Sequence, residues 1–421
     1  MGRRGGGSAL HPTVLPIYDR DGSDESDGGG MGGGGGGGGG KTAAAGALKR
    51  YDDCSDPPSI LKKDRSSPIH TKAITELCLL SDGSRLATAG MDNNAAVAKL
   101  PLPKGGTDGA HYAGHTAPVL AVSLSQDCDD PLLISTSADG TARLWRAKPP
   151  SVGSGNPGVA KNPKKSSDPL LLQLDSPAGN MKAAASAKKF GAEISAGRFF
   201  YLDKFLLLGY SGKVQVVKYH IEAEENLNDI ERLRRHNNRY KSVAKLDLES
   251  QYTTAVGCVN SFSSPIVFAA GSNRCLKVFD MAVCKCAHTF EDAHAKAVHT
   301  IAVNEVSPFV TLPLSAYDVF VTSAADGCVK LWDLRSRMSV GRFEEHTNRV
   351  HKIGASLSPC MRFLASGSED KVAHIYDLRK GTTLHRLHGH TQCVSDVAFH
   401  PLHSHLYTSS FDGTVRVYVD K

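Results

Sequence analysis

The sequence predicts an all-β fold in which seven four-stranded antiparallel sheets stand in a ring behind a flexible tail, and two observations predict it. The first is a hairpin unit: two short apolar runs flank an Asp-Gly turn, and the second run ends in an aromatic residue. It is clearest at Phe320-Val321-Thr322-Ser323-Ala324-Ala325-Asp326-Gly327-Cys328-Val329-Lys330-Leu331-Trp332-Asp333-Leu334-Arg335. The second is its recurrence, with turns centred on positions 92, 139, 211, 273, 326, 370 and 412. The last three turns are spaced at the roughly 40–45 residues of a four-stranded repeat. One such sheet cannot bury both of its faces, so several must stack side by side and close.

Residues 70 to 421 resemble the WD40-repeat family, which implies a seven-bladed β-propeller. In that family a His ahead of the blade, a Ser or Thr before the turn, the turn Asp and a Trp after it form a hydrogen-bonded relay. Such a relay satisfies each buried polar group and fixes the register of the blade. Carried onto this sequence, the first blade has His70, Thr88 and Asp92, with Ala98 in place of the aromatic, and the second has His115, Ser135, Asp139 and Trp145. The third keeps only strands, with Ser211 at the turn and Val217 at the aromatic position, and is expected to be held by apolar packing alone. The fourth has Asn273 and Phe279. The fifth has His294, Thr322, Asp326 and Trp332, the sixth His346, Ser366, Asp370 and Tyr376, and the seventh His390, Thr408, Asp412 and Tyr418.

Between these units the composition changes. Residues 1–55 hold an acidic patch from Asp19 to Asp27 and an unbroken glycine tract from Gly32 to Gly40, which reads as a flexible tail ahead of a propeller domain at 56–421. Residues 149–190 are rich in Lys, Pro, Gly and Ser and read as a long loop. At 221–241 Leu227, Ile230 and Leu233 recur at helical spacing among charges, predicting a short inserted helix. The last repeat stops just after Tyr418, one strand short. Residues 59–63, Ser-Ile-Leu-Lys-Lys, are expected to supply that strand and clasp the ring.

The totals exclude several classes. The formal charge of +6 is mild and sits largely in loops, which argues against a nucleic-acid surface. Ten Cys without a framework fit small buried residues in a reducing compartment, and Cys284-x-Cys286 is too tight and too solitary for zinc. No apolar leader and no run of eighteen apolar residues occur, so the expectation is an intracellular chain without a membrane span, cytoplasmic ahead of nuclear. His400, His403 and His405 are read as a solvated turn. No P-loop, GxSxG or HExxH motif appears, and the repeated aspartates have structural tasks. No catalytic residue, metal or cofactor is assigned.

What remains is a non-catalytic scaffold that binds other proteins through its loops. Glu369, Phe411, Arg349 and Gln392 lie beside the hairpin turns and ahead of first strands, where partners would meet them. Residues 320–335 also resemble the sixteen-residue box of WD40 substrate receptors in cullin-4 ubiquitin ligases, with an imperfect copy ending Tyr376-Asp377-Leu378-Arg379. That resemblance implies Arg335 and Arg379 as contacts for a ligase adaptor. A competing class is a ribonucleoprotein adaptor using the Lys-rich loop with Arg232, Arg234, Arg235, Arg239 and Lys241. The stretch from Val278 to Phe363 is similar, more narrowly, to the end of a two-propeller member of the WD40 family.

Overall fold

The computed structural model describes residues 57–62, 66–102, 109–147, 169–175, 192–221, 239–262, 264–304 and 318–420. The segment expected to be a flexible tail lies outside them, as do 222–238 and most of 149–190.

Two short strands, β1 (Ile60–Leu61) and β2 (Ser67–Pro68), come first. Blade 1 follows as β3 to β6 (Ile74–Leu79, Arg85–Gly90, Ala95–Lys99, Gly109–Tyr112), and blade 2 as β7 to β10 (Val119–Leu124, Leu132–Ser137, Ala142–Arg146, Leu170–Leu174). Blade 3 is β11 to β14 (Ile194–Phe200, Phe205–Tyr210, Lys213–His220, Arg239–Asp247), and blade 4 is β15 to β18 (Thr253–Cys258, Ile266–Gly271, Leu276–Asp280, Lys285–Phe290). Blade 5 is β19 to β22 (Val298–Val303, Val319–Ala324, Cys328–Asp333, Met338–Phe343), and blade 6 is β23 to β26 (Ala355–Leu357, Phe363–Ser366, Ala373–Asp377, Thr383–Leu387). The last three strands, β27 to β29 (Val394–Phe399, His405–Ser410, Thr414–Val419), build blade 7 together with β1 and β2.

The second strand of each blade is buried along most of its length because it is covered on both faces, with small residues in blade 1 (Leu86-Ala87-Thr88-Ala89) and bulkier apolar ones in blade 3 (Leu206-Leu207-Leu208). First strands of successive blades touch in the order β3, β7, β11, β15, β19, β23 and β27, and β27 touches β3, which closes the ring. Seven buried apolar clusters each bridge two adjacent blades, one at every junction. The fold is therefore the seven-bladed propeller expected, and its cohesion lies between sheets.

Blade 7 borrows its outer edge from the start of the ring. Ser59 N–H donates to the Val419 carbonyl at 2.8 Å and Lys62 N–H to that of Val417 at 2.9 Å. Ile60 pairs with Val419 and Leu61 with Tyr418, while Ser67 pairs with Val415. These residues cover a strand edge that would otherwise be open to another chain.

Three readings are corrected. The 149–190 stretch is not loop throughout: Leu170 to Leu174 pairs with β9 as the outer strand of blade 2 and buries Leu172 and Leu174. Residues 239–241 belong to β14, where Tyr240 pairs with Tyr219, rather than to a helix. Blade 3 is not held by apolar packing alone, since the buried Tyr210 hydroxyl donates to Gln215 Oε1 at 2.9 Å inside it. Its turn carries Ser211 and Gly212 at positive φ, and a Cβ on Gly212 would lie 1.8 Å from the Ser250 carbonyl oxygen, so glycine is required there.

Candidate interaction surfaces

The upper end of the ring, where second strands turn into third strands, is fixed by the polar relay. His70 reaches Asp92 at 3.0 Å and Thr88 Oγ1 at 2.9 Å, and His115 reaches Asp139 at 2.9 Å and Ser135 Oγ at 2.8 Å. Trp145 Nε1–H completes the second by donating to Ser135 Oγ at 2.8 Å. His294, Thr322, Asp326 and Trp332 repeat this in blade 5, with the Trp332 donor at 2.7 Å. In blade 7 His390 joins Asp412 and Thr408, while the Tyr418 hydroxyl donates to the His388 carbonyl. Each Asp also accepts the N–H after its His, so loop and turn are tied together. Burial disfavours charge on the carboxylates, but the hydrogen bonds and the His partner outweigh it and hold Asp139 and Asp326 down at about 2. Burial likewise drives the His70 and His115 rings toward the neutral form, against the pull of their aspartates.

Blade 6 departs from that pattern. His346 does not meet Asp370; its Nδ1 pairs with the Tyr376 hydroxyl at 3.1 Å, and Ser366 Oγ donates to the Gly367 carbonyl. Asp370 is taken by His374 Nε2 at 3.0 Å instead. The reason is local: His374 stands where blades 2, 5 and 7 have Arg143, Lys330 and Arg416, and its short ring reaches back to the turn. His346 Nε2 is left buried without a hydrogen-bond partner among the described residues, and burial with the neighbouring His374 lowers its pKa to about 4.

This rewired blade carries two of the four upper candidates, Arg349 and Glu369, and blade 7 the other two, Gln392 and Phe411. Glu369 Oε1 accepts the backbone N–H groups of Arg349, Val350 and His351 at 3.1, 2.8 and 2.9 Å. It is thus a loop cap rather than a free contact. The loop holds Arg349 and His351 at the surface and Val350 75% exposed, and the His351 ring meets Phe411 edge-on at 4.9 Å. Exposed Gln392 adjoins them, its carbonyl accepting from Ser410 Oγ. Val350 and His351 were missed by the sequence reading because only the folded loop exposes Val350 and brings His351 beside Phe411.

At the lower end Arg335 is engaged within its own blade, bonding Asp333 at 2.9 Å and lying 3.4 Å from Asp318. Arg379 is exposed and makes no ion pair within 4 Å among the described residues, although together with the Lys380 N–H bond its charge helps hold the neighbouring Asp377 carboxyl below its usual range. The histidine turn is not wholly solvated: buried His400 bonds the Gly83 carbonyl at 3.1 Å and accepts from the N–H of Leu402 and His403. It joins blade 7 to blade 1. Among the described residues no group of His, Cys, Asp or Glu is arranged to hold a metal and no helix is long and apolar enough to cross a membrane; Cys284 and Cys286 are exposed and not bridged to each other.

First strands from all seven blades line a central cavity of about 240 Å³. Inside it Glu76 is bound by Arg198 and by Lys352 at 3.1 Å. Burial works against the Glu76 charge, but the two cations outweigh it and hold its pKa below the usual range. Asp396 is buried nearby, and burial plus the Glu76 carboxylate raises it to about 7. The sequence reading missed these residues; for Glu76, Arg198 and Asp396 the signal is a charge inside a first strand, as in Val394-Ser395-Asp396-Val397, and Lys352 lies just ahead of one.

Comparison with known proteins places this geometry. The family model "WD domain, G-beta repeat" matches residues 63–97, 106–146, 284–333, 337–377 and 381–418. The chain is similar to the WD repeat domain-containing protein 83 homolog of Dictyostelium discoideum, 33% identical over 114 residues, covering 26% of this chain and 35% of that protein. It is also similar to the WD repeat-containing protein 26 homolog of Drosophila melanogaster, 30% identical over 28% of this chain and 19% of that one. Against the DENN domain and WD repeat-containing protein SCD1 of Arabidopsis thaliana it is 33% identical over 23% of this chain and 8% of the other. The matches thus span about a third or less of these curated relatives. Five repeats recognised by sequence and two more built on the same plan make this chain a member of the WD40-repeat family, folded as a seven-bladed propeller.

Proposed function

We propose that the chain is a non-catalytic platform for protein–protein interaction whose principal docking surface is the upper end of blades 6 and 7. The observation that carries it is the Glu369 cap. One carboxylate oxygen fixes three consecutive N–H groups, which holds Val350 out between Arg349 and His351, and the His351 ring rests against Phe411. A rigid apolar tip ringed by polar groups has the composition of a binding hot spot. Tagged full-length chain and its Val350→Asp and Phe411→Ser variants, purified side by side from cells, test it. Proteins recovered with the parent and lost from both variants support the reading, and identical sets oppose it.

A finer alternative is a substrate receptor of a cullin-4 ubiquitin ligase. Arg379, exposed and without a close ion pair among the described residues, favours it, while Arg335 is already engaged by two carboxylates. Loss of adaptor co-purification on Arg379→Ala, with Arg335→Ala having less effect, would support that role. The ribonucleoprotein alternative draws on Arg239 and Lys241, both exposed on β14, and a shift assay at two salt concentrations tests it. The stretch from Val278 to Phe363 resembles WD repeat-containing protein 27, and what that resemblance implies is again scaffolding.

A further inference from the structure

The turn joining β11 to β12 at the lower end of blade 3 runs through Tyr201, Leu202 and Asp203, all three at positive φ (58°, 52° and 60°). Consecutive non-glycine residues avoid that region unless their surroundings enforce it. Asp203 is clamped by its neighbours: it accepts Gln126 N–H of blade 2 at 2.7 Å and Asn260 Nδ2 of blade 4 at 2.6 Å, and its own N–H donates to Asn260 Oδ1 at 3.1 Å. The Tyr219 hydroxyl donates to its carbonyl. The clamp presents an apolar patch, with Leu202 46% exposed and Phe262 64% exposed. Their link is the Tyr201 ring, 5.4 Å from that of Phe262. The patch lies beside the lower mouth of the central cavity, which Gln126 and Asn260 line.

What adjoins the patch identifies its occupant. The loop between β7 and β8 exposes Asp127 and Asp129, neither of them ion-paired among the described residues. The Gln126–Asp203 bond fixes that loop against the aromatic turn. The nearby cation Lys204 stands over the Tyr201 ring at 5.5 Å. An anionic membrane or a second copy of this face would bring like charge to Asp127 and Asp129, whereas a cationic side chain would be attracted.

We propose that this lower surface docks a linear segment of a partner protein in which a bulky apolar side chain sits next to Lys or Arg. The apolar side chain covers Leu202, Tyr201 and Phe262, and the cation faces Asp127 and Asp129. The proposal rests on the platform reading and adds to it a second surface and the chemistry of its partner.

The test is to pan a display library of random linear peptides against the full-length chain and measure the enriched peptides by fluorescence polarisation. The expected peptides pair an apolar residue with Lys or Arg. Their Kd rises about tenfold on Phe262→Ala, as at an interface anchor. It rises about threefold on joint Asp127→Asn and Asp129→Asn, weakens with added salt, and is unmoved by Val350→Asp. Peptides without this signature, or an affinity indifferent to Phe262→Ala, overturn the proposal. Peptides lost only on Val350→Asp overturn it while leaving the upper platform standing, and a library that enriches nothing overturns it too, the platform itself being decided by the co-purification with Val350→Asp and Phe411→Ser.

Discussion

The Asp396 carboxylate, on the innermost strand of the last blade, accepts the backbone N–H of Leu77 on the innermost strand of the first at 2.8 Å. Its other oxygen accepts Val397 N–H at 2.9 Å, and a Cβ on Gly354 would lie 1.6 Å from it, so glycine at 354 makes room for the acid. The seam where the ring closes thus contains a buried acid facing Glu76 and Lys352.

This arrangement predicts an unusual pH dependence. With Asp396 raised to about 7 in the fold, the folded chain binds a proton that the unfolded chain releases near 4. The contribution is fully present below the unfolded pKa and is lost as pH rises through about 7. Melting temperature should fall between pH 5 and 8 in the parent and fall less in Asp396→Asn. Parallel slopes by calorimetry would dismiss the assignment.

The relay aspartates act with the opposite sign. Asp139 and Asp326, held at about 2, contribute stability that is present above their unfolded pKa near 4 and lost as pH falls toward 2. Thermal melts should therefore show a separate loss in acid, and Asp326→Asn should reduce it.

Blades 5 and 6 should respond differently to the same substitution. Asp326 is 12% exposed and bound to His294 and the Ala295 N–H, whereas Asp370 is 37% exposed and bound to the alternative His374 and the Val372 N–H of its own turn. Asp326→Ala should cost about 2–3 kcal/mol, the cost of stranding buried partners, and Asp370→Ala about 1 kcal/mol or less. Urea denaturation distinguishes them, and equal losses would mean the rewiring has no energetic consequence.

The clasp predicts a step in truncation tolerance. A chain starting at residue 51 keeps β1, while one starting at 67 loses the two bonds from Ser59 and Lys62 and the packing of Leu61. The second should be less stable by about 2–3 kcal/mol, and the first should match the parent. Equal melting of the two would show that the edge strand is dispensable.

Glu369 should control order in the upper loop. In Glu369→Ala the amides of Arg349, Val350 and His351 lose their acceptor and should exchange hydrogen faster, with little change in global melting. Unchanged exchange at those three positions would remove the cap from the account.

The strongly periodic features were legible in the chain itself. Hairpins such as Phe320 to Trp332 carry their own turn chemistry, and their recurrence dictates how many sheets must share faces. The Leu170–Leu174 strand was hidden because its surroundings are Lys- and Pro-rich and an outer strand has little pattern of its own. The exchange of partners between His346, His374 and Asp370 was hidden because all three residue types suit the usual relay, and only their distances choose among pairings.

Local composition and repeat spacing therefore determined the all-β class, the seven units and the five blades that carry a His, a hydroxyl and an Asp for a relay, of which the structure forms four in the usual pairing. The ring decided everything that depends on residues far apart in the chain: Glu76 with Arg198 and Lys352, Asp396 with Leu77, His351 beside Phe411, and Tyr201 beside Phe262. The physical reason is that a periodic pattern is written in neighbouring residues, whereas the charge, burial and exposure of a side chain are set by whichever blade closure brings against it.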